Sequence, residues 1–338
     1  MTIRNVPVFP AFLAVLLVFG ACTVSDPSPE APDTAGRKRS VIQTDSAVSG
    51  YPEQLEELAE LERSGGFVPG MGIAECKLRE ESGDYAGAVI AVYKELSWAY
   101  AHGLEGINRE AIEEGLAKVG ELEFAGSGGP KAAEEADKAA RAALDFFNGR
   151  WTEAQALLTE LFPGETEPDS FIRWMLLVCS LEGGGISRET RSAYGAVRAR
   201  YSSFPEYWYR GARTFSGNAA GDYAERCIDL AGSGPFAPEC RSILARVSGL
   251  GADDGKALRT RAEIEGLIQD AVIRQKPELL EDILPLIALP DNLHTIYAAG
   301  ILRALTAEPM FKSWLNGEAE KARGRLAERL EYITGTAL

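Results

Sequence analysis

The sequence contains few of the residues from which catalytic and metal sites are usually built. Only two histidines and five cysteines occur among its 338 residues. His102 and His294 lie far apart without the spacing of metal ligands, and no two cysteines form a C-x-x-C pair. The glycine-rich stretches 126–129 and 183–185 lack the following Lys-Ser/Thr of a phosphate-binding loop, and no serine lies in a G-x-S-x-G elbow. We therefore predict a non-enzyme with no catalytic residue, no metal and no cofactor.

Basic residues are also in deficit. Lys and Arg number 35 against 50 Asp and Glu, which gives a net charge of -15. Binding to nucleic-acid phosphates and charge-driven adsorption to an anionic membrane both need an excess of Lys and Arg. The composition therefore argues against a nucleic-acid partner, and the simplest consequence of the acidity is solubility.

Strand patterns are scarce as well. Alternating apolar and polar runs and clusters of β-branched residues are nearly absent. Helical periodicity dominates from Tyr51 onward, so we predict an all-α fold.

The N-terminus carries the most specific local signal. Residues 6–20 are almost wholly apolar, but a run of about 15 residues is shorter than the ~20 that span a bilayer, so it predicts a secretory signal. The run Phe19-Gly20-Ala21-Cys22 resembles the lipobox of bacterial lipoproteins, although that family prefers Leu where this chain has Phe19. The resemblance implies that residues 1–21 are a lipoprotein signal peptide and that Cys22 is acylated and anchors the protein to a membrane. An ordinary secretory signal or an uncleaved anchor is the alternative.

Residues 22–50 are predicted to form a flexible tether. Pro27, Pro29 and Pro32 lie close together there, and large apolar side chains are nearly absent, so no core can form. Arg37-Lys38-Arg39 is a small basic cluster that either touches anionic lipid head groups or is simply solvated.

A short phrase recurs along the rest of the chain: a glycine followed two residues later by an aromatic residue that opens a helix. It occurs at Gly83-Asp84-Tyr85, Gly149-Arg150-Trp151 and Gly221-Asp222-Tyr223, at intervals of about two periods of a ~34-residue helix-turn-helix repeat. The periodicity predicts helices over residues 73–81, 85–101, 109–124, 131–147, 151–162, 170–182, 188–201, 206–215, 219–231, 238–247, 255–274 and 317–333. Asp169 is expected to cap the helix that begins at Ser170.

The helices between about residues 73 and 250 resemble tetratricopeptide repeats, whose first helix carries W-x2-L-G-x2-Y and whose second carries A-x3-F. The motif of the first helix is matched by Trp208, Gly211, Ala212 and Phe215. Two further sets match its spacing more loosely: Phe171, Trp174, Met175 and Val178, and Ala139, Ala142, Ala143 and Phe146. The A-x3-F positions of the second helix are taken by Ala88 with Val92, Ala154 with Leu158, and Ala193 with Val197. The glycine insertion at 183–185 and Arg226 in place of Ala depart from the pattern.

The resemblance implies a helix-turn-helix solenoid over residues 51–250, with residues 251–338 as a C-terminal helical cap. A generic helical bundle is the alternative. Within 251–338, Leu293, Ile296, Tyr297, Ile301 and Leu305 form an apolar stripe. The last predicted helix, 317–333, either caps the solenoid or binds a partner.

The resemblance also implies that the working surface is the concave side formed by the first helices of the repeats. The positions carried over from the family's groove are Leu144, Phe147 and Asn148 on one helix, and Tyr209 and Arg213 on another. We expect Tyr209 and Arg213 to lie opposite the packing face of their helix and to be open to a partner.

Two cysteines are candidates for a disulfide. Cys227 and Cys240 lie near the facing ends of adjacent predicted helices, and export would permit them to pair. The alternative is that they are buried free thiols, which behave as small apolar groups.

The sequence thus predicts a lipid-anchored protein of the bacterial cell envelope, periplasmic or surface-facing. Its predicted role is a scaffold that binds an unidentified protein partner in envelope assembly, cell-wall work or transport. The main alternative is the solute-binding component of a transport system, with a small molecule in a pocket or pore of the solenoid. An envelope hydrolase with an unrecognised acid is a third alternative.

Overall fold

A computed structural model describes residues 51–121, 129–165, 167, 169–184, 187–251 and 253–335. The predicted signal peptide, Cys22 and the tether lie outside the described residues. The described part forms 17 α-helices and two short 3₁₀ segments without any strand, so the all-α prediction is confirmed. None of these helices is both long enough and apolar enough to cross a membrane.

The chain divides into two compact units. The N-terminal unit comprises the described residues up to Ser203, and the C-terminal unit comprises those from Phe204 onward. This division falls within the segment 51–250 that was predicted as one array of repeats.

The described residues of the N-terminal unit form nine α-helices. They are α1 (Tyr51–Gly65), α2 (Met71–Glu81), α3 (Tyr85–Ala101), α4 (Arg109–Glu121), α5 (Gly129–Phe147), α6 (Trp151–Leu161), α7 (Phe171–Gly184), α8 (Arg188–Ala196) and α9 (Arg198–Tyr201). Helix α2 packs along α3, α3 along α5, α5 along α4 and α6, and α6 along α7. Most helices therefore pack on their neighbours in sequence, whereas α1 packs on α2 and on the distant α9.

Two of the predicted glycine turns form as expected. Gly83 and Gly149 have φ angles of +82° and +74°, in the left-handed region that favours glycine. The Asp84 carboxylate accepts a hydrogen bond of 2.8 Å from the backbone N–H of Gly87 and so caps α3. These turns start the second helices of the hairpins α2–α3 and α5–α6.

Helix α3 is the centre of the N-terminal unit, with 13 of its 17 residues buried. Helix α5 packs on α3, α4 and α6, and its small buried side chains allow close helix packing; the buried alanines are Ala132, Ala136, Ala139, Ala140, Ala142 and Ala143. Near the C-terminal end of α5, Phe146 is fully buried and meets the rings of Tyr93, Trp151 and Trp174 with centroids 5.5 to 6.1 Å away. Ala154 of α6 is fully buried too, while Trp151 is only half-buried.

Two local predictions in this unit are corrected by the structure. The predicted helix 188–201 is divided at Val197 into α8 and α9. The first turn of α7 is capped by Ser170, whose hydroxyl accepts a hydrogen bond of 3.0 Å from the backbone N–H of Arg173. Asp169, the predicted cap, instead binds Arg63 of α1.

The described residues of the C-terminal unit form eight α-helices. They are α10 (Pro205–Thr214), α11 (Gly217–Ala231), α12 (Ala237–Val247), α13 (Arg261–Arg274), α14 (Leu284–Ile287), α15 (Leu293–Leu305), α16 (Pro309–Lys321) and α17 (Arg325–Thr334), with 3₁₀ segments at Asp253–Lys256 and Pro277–Ile283. Helix α11 packs on α10 and α12, and α17 packs on α16 and α15.

The third copy of the glycine phrase is not a turn. Gly221 lies inside α11 and is buried. A different glycine, Gly211 of α10, has no room for a side chain, because a Cβ atom there would lie 2.1 Å from Cδ1 of Tyr223. Glycine therefore permits the close approach of α10 and α11.

The bounds of two helices in this unit differ from those predicted from the sequence. The helix predicted over 255–274 begins only at Arg261, after a capping box between Thr260 and Glu263. The continuous helix predicted over 317–333 is wrong, because α16 ends at Lys321 and α17 begins after Gly324, whose φ is +59°.

Candidate functional site

The structure brings together the three predicted groove residues of the N-terminal unit at the end of α5. Leu144, Phe147 and Asn148 are all half-buried. The Phe147 ring meets Tyr100 edge-on at 5.3 Å, and the Arg109 guanidinium lies 5.4 Å from its centroid. Arg109 also donates a hydrogen bond to Oδ1 of Asn148. These contacts hold the end of α5 against α3 and the start of α4.

The other predicted groove residues, in the C-terminal unit, differ in their exposure. The groove prediction needs Tyr209 to be open, but it is only 6% exposed. Its ring stacks on Phe236 at 4.5 Å, and its hydroxyl donates a hydrogen bond of 2.6 Å to Glu239. Burial and this hydrogen bond raise the pKa of Tyr209. Arg213 is exposed and donates to the Tyr209 hydroxyl at 3.0 Å. Tyr209 thus serves to pack α10 against α12.

The two cysteines singled out in the sequence are joined by a disulfide. Cys227 of α11 and Cys240 of α12 are fully buried, with their Cα atoms 6.4 Å apart. Cys76 and Cys179, in contrast, are buried cysteines outside this bond. Burial, with the nearby Glu80 and Glu75 carboxylates, raises the pKa of Cys76 to about 12, so it stays a neutral thiol at ordinary pH.

A buried charge network in the N-terminal unit was not anticipated from the sequence. Lys94 of α3 is fully buried and donates hydrogen bonds to Glu62 of α1 and, at 3.0 Å, to Glu75 of α2. Arg200 of α9 donates from Nε to the other oxygen of Glu62. The Lys94 ammonium also lies 5.3 Å from the ring centroid of Phe67. We define Glu62, Glu75, Lys94 and Arg200 as the charge network.

Two further arginines extend the charge network toward solvent. Arg79 pairs with Glu75 at 2.9 Å and with Asp84 at 2.6 Å. Arg63 of α1 pairs with Asp169 at 2.7 Å. Through the contacts of Lys94 and Arg200 with Glu62 and Glu75, the charge network joins α1 to α2, α3 and α9.

The charges of the network depend on one another. Burial alone would raise the pKa of Glu75, but the Lys94 ammonium and the Arg79 guanidinium outweigh it and lower that pKa to about 2. Glu75 is therefore ionised at neutral pH. Because these buried charges pair with one another across four helices, we interpret the charge network as a structural feature.

An open groove in the C-terminal unit is the better candidate for binding. It lies between α15 and α17 and has a volume of about 530 Å³. Ala299 and Gly300 are part of its lining, together with Ile296 and Tyr332, which are 59% and 60% exposed. Leu293 lies three residues before Ile296, at helical spacing on the same face of α15, and is 71% exposed. Part of the predicted apolar stripe therefore faces solvent. We call this feature the α15–α17 groove.

Charged side chains line the rest of the α15–α17 groove. The Arg303 guanidinium lies 4.8 Å from the ring centroid of Tyr332. Arg329 pairs with Asp291 and donates to the carbonyl oxygen of Leu289 at 3.2 Å. The remaining charged residues of the lining are Arg325 and Glu328. The groove thus combines apolar, aromatic and guanidinium groups, which are the usual chemistry of protein-binding sites.

Within the described residues, no group of three or more His, Cys, Asp or Glu side chains is arranged to hold a metal ion. The chain matches no protein-family model, and no curated protein or solved structure matches it significantly.

Proposed function

We propose that the protein is a membrane-anchored scaffold of the bacterial cell envelope that binds a protein partner through the α15–α17 groove. The anchor is the acylated Cys22, on the strength of the lipobox resemblance. The scaffold is a tetratricopeptide-like array, a proposal supported by the hairpins α2–α3 and α5–α6 and their glycine turns. Its role lies in envelope assembly, cell-wall work or transport.

The observation that carries the binding role is the exposure of large apolar side chains beside the groove. Leu293, Ile296 and Tyr332 are each more than half exposed. Isolated exposed apolar residues are common on proteins, but clusters of them around a concavity usually mark interaction sites. Tyrosine and arginine are also the residues that most often anchor protein interfaces, and Tyr332 and Arg303 already contact each other here.

Site-specific photo-crosslinking in living cells tests this proposal. A photo-reactive phenylalanine analogue in place of Ile296 or Tyr332 should give discrete adducts, whereas the same analogue at exposed Glu278 should not. The charged substitution Tyr332→Asp should remove the adduct formed from position 296 while leaving the circular dichroism spectrum unchanged. Equal adducts from all three positions, or adducts that survive Tyr332→Asp, would contradict binding in the groove.

The anchor is tested separately. Cys22→Ala should move the protein out of the membrane fraction or leave an unprocessed precursor, because the acyl chains supply the membrane affinity. Mass spectrometry of the mature N-terminus decides the matter. An unmodified N-terminal residue other than Cys22 would rule out lipid anchoring and leave the groove proposal intact.

A further inference from the structure

We propose that the partner segment in the α15–α17 groove is acidic. One of its apolar side chains rests over Ala299 and Gly300, and carboxylates beside it bind Arg303 and Arg325. This inference rests on the proposed binding function and names the chemistry of the partner.

The charge balance of the groove favours an acidic segment. Three arginines and two carboxylates line it, so the groove has an excess of one positive charge in a chain whose net charge is -15. Arg329 is already paired with Asp291. In the described part of the chain, Arg303 and Arg325 form no ion pair with any carboxylate, and Arg325 does not pair with Glu328 one turn away. Two guanidinium groups are therefore left to bind carboxylates from outside.

The geometry of Arg303 suits a carboxylate. Its guanidinium carbon lies 4.8 Å from the centroid of the Tyr332 ring, a contact that restricts the side chain. A planar guanidinium with a free edge binds a carboxylate through two parallel hydrogen bonds, which a lysine cannot do. Tyr332 then supplies an apolar wall beside the charge.

The groove leaves room for a side chain beside Gly300. A Cβ atom added to Gly300 would meet no atom within 4 Å, and the backbone of Gly300 does not need glycine. Exposed Ile296 lies one helical turn before Gly300 and also lines the groove. An aliphatic or aromatic side chain placed there would cover Gly300 and Ile296, while neighbouring carboxylates reach the two arginines.

The chain's own basic run, Arg37-Lys38-Arg39, has the wrong sign to occupy this groove. A second copy of the acidic chain is the competing occupant, and the experiment distinguishes it.

The test uses the full-length mature protein in detergent and three fluorescent peptides of equal length, with alternating Glu-Leu, Gln-Leu or Lys-Leu residues. By fluorescence anisotropy, the Glu-Leu peptide should bind at least about tenfold more tightly than the Gln-Leu peptide, with the Lys-Leu peptide weakest. Raising NaCl from about 0.05 M to about 0.5 M should weaken the Glu-Leu complex most, because salt screens exposed charges.

Two pairs of variants locate the binding. Arg303→Glu with Arg325→Glu should weaken Glu-Leu binding about tenfold or more and reverse the preference toward Lys-Leu. Arg226→Glu with Arg246→Glu makes the same change in net charge at exposed positions elsewhere in the unit, and it should alter affinity less than about twofold. Gly300→Phe should fill the groove and abolish binding of every peptide, whereas Gly266→Phe, at a helical glycine that also faces open space, should not.

The outcomes separate this inference from the proposed function. If the three peptides bind the parent protein equally well and Gly300→Phe weakens them equally, the groove binds peptides without a preference for acidic ones, and the inference is overturned. If no affinity responds to Gly300→Phe, the groove is not the site and the proposed function fails too. Equal losses in the two arginine double variants show nonspecific attraction and overturn the inference. A dimer in sedimentation equilibrium that Gly300→Phe dissociates makes a second copy the occupant, which also overturns it.

Discussion

Removing the buried ammonium of the charge network, by Lys94→Met, should destabilise the N-terminal unit severely. Methionine has nearly the length of lysine and keeps an apolar side chain at this buried position, but it lacks the ammonium. The change therefore leaves Glu62 and Glu75 buried with one cation fewer between them. Taking one partner from a buried ion pair commonly costs about 3–5 kcal/mol, because the remaining charge stays desolvated.

The pKa of Glu75 gives a second measure of the same effect. Burial of the carboxyl group raises this pKa, but the nearby Lys94 and Arg79 charges lower it by more. The pKa in the folded protein is therefore about 2, against an ordinary value of about 4.5. At roughly 1.4 kcal/mol per pKa unit, this depression corresponds to about 3 kcal/mol of folding stability. Because the folded pKa is depressed, that stability is present above pH ~4.5 and is lost as the pH falls toward 2. The parent and Lys94→Met should therefore converge in stability over that interval.

Thermal and urea unfolding, followed by circular dichroism at pH 7, measures the loss. For a unit of this size, each kcal/mol corresponds to roughly 2–4 °C in Tm. Hydrogen exchange should show faster opening of α1, α2 and α3 in the variant. The double change Lys94→Met with Glu75→Gln should recover part of the loss, about 1–3 kcal/mol, since it removes one of the stranded charges.

Lys138→Met provides the control, because Lys138 pairs with Glu134 and Glu160 on the surface and its loss should hardly change Tm. If Lys94→Met melts like the parent at pH 7, or if the difference persists unchanged at pH 2, the charge network does not fasten the helices and the reasoning is refuted.

Two further predictions concern the C-terminal unit. Gly211→Ala should destabilise it by about 1–3 kcal/mol, because the new methyl group would overlap the Tyr223 ring, whereas Gly266→Ala should be neutral or slightly stabilising; equal Tm values for the two variants would contradict the close contact of α10 and α11. Replacing Cys227 and Cys240 together by alanine should cost roughly 2–4 kcal/mol, since the bond restrains the unfolded chain. The bond itself is checked by mass spectrometry, because alkylation of these two cysteines in the unfolded protein should require prior reduction.

The parts of the fold that could be predicted are those set by adjacent residues. Gly83 and Gly149 were recognisable as turns because a positive φ and the first turn of the next helix are specified within a few positions. Gly221 carries the same local phrase but lies inside α11, where packing against other helices overrides it. Asp169 likewise had the chemistry of a cap, yet Arg63, distant in sequence, binds it instead.

The candidate site was harder to predict because it depends on which helices become neighbours. The periodicity of α10 placed Tyr209 away from one packing face, but a helix in contact with several others has more than one packing face, and Phe236 covers the tyrosine. Lys94 lies within an otherwise apolar helix, but its partners Glu62 and Glu75 are on other helices and could not be paired with it from sequence spacing. The apolar stripe itself could be predicted, but the exposure of its first two residues, Leu293 and Ile296, depends on how the neighbouring helices pack.

The long separation between members of the charge network sets the order in which a growing chain can complete its N-terminal unit. Lys94 follows Glu62 by 32 residues, whereas Arg200 follows it by 138. In the extension of the network toward solvent, Asp169 follows Arg63 by 106 residues. Contacts that close such long loops form late, because the entropy of the loop is lost before the contact stabilises it. Helix α1 precedes all the other described helices in the chain, yet we expect it to reach its final stability only when α9 is present. A nascent chain that stops before Arg198 should therefore still expose α1 to proteases and chaperones.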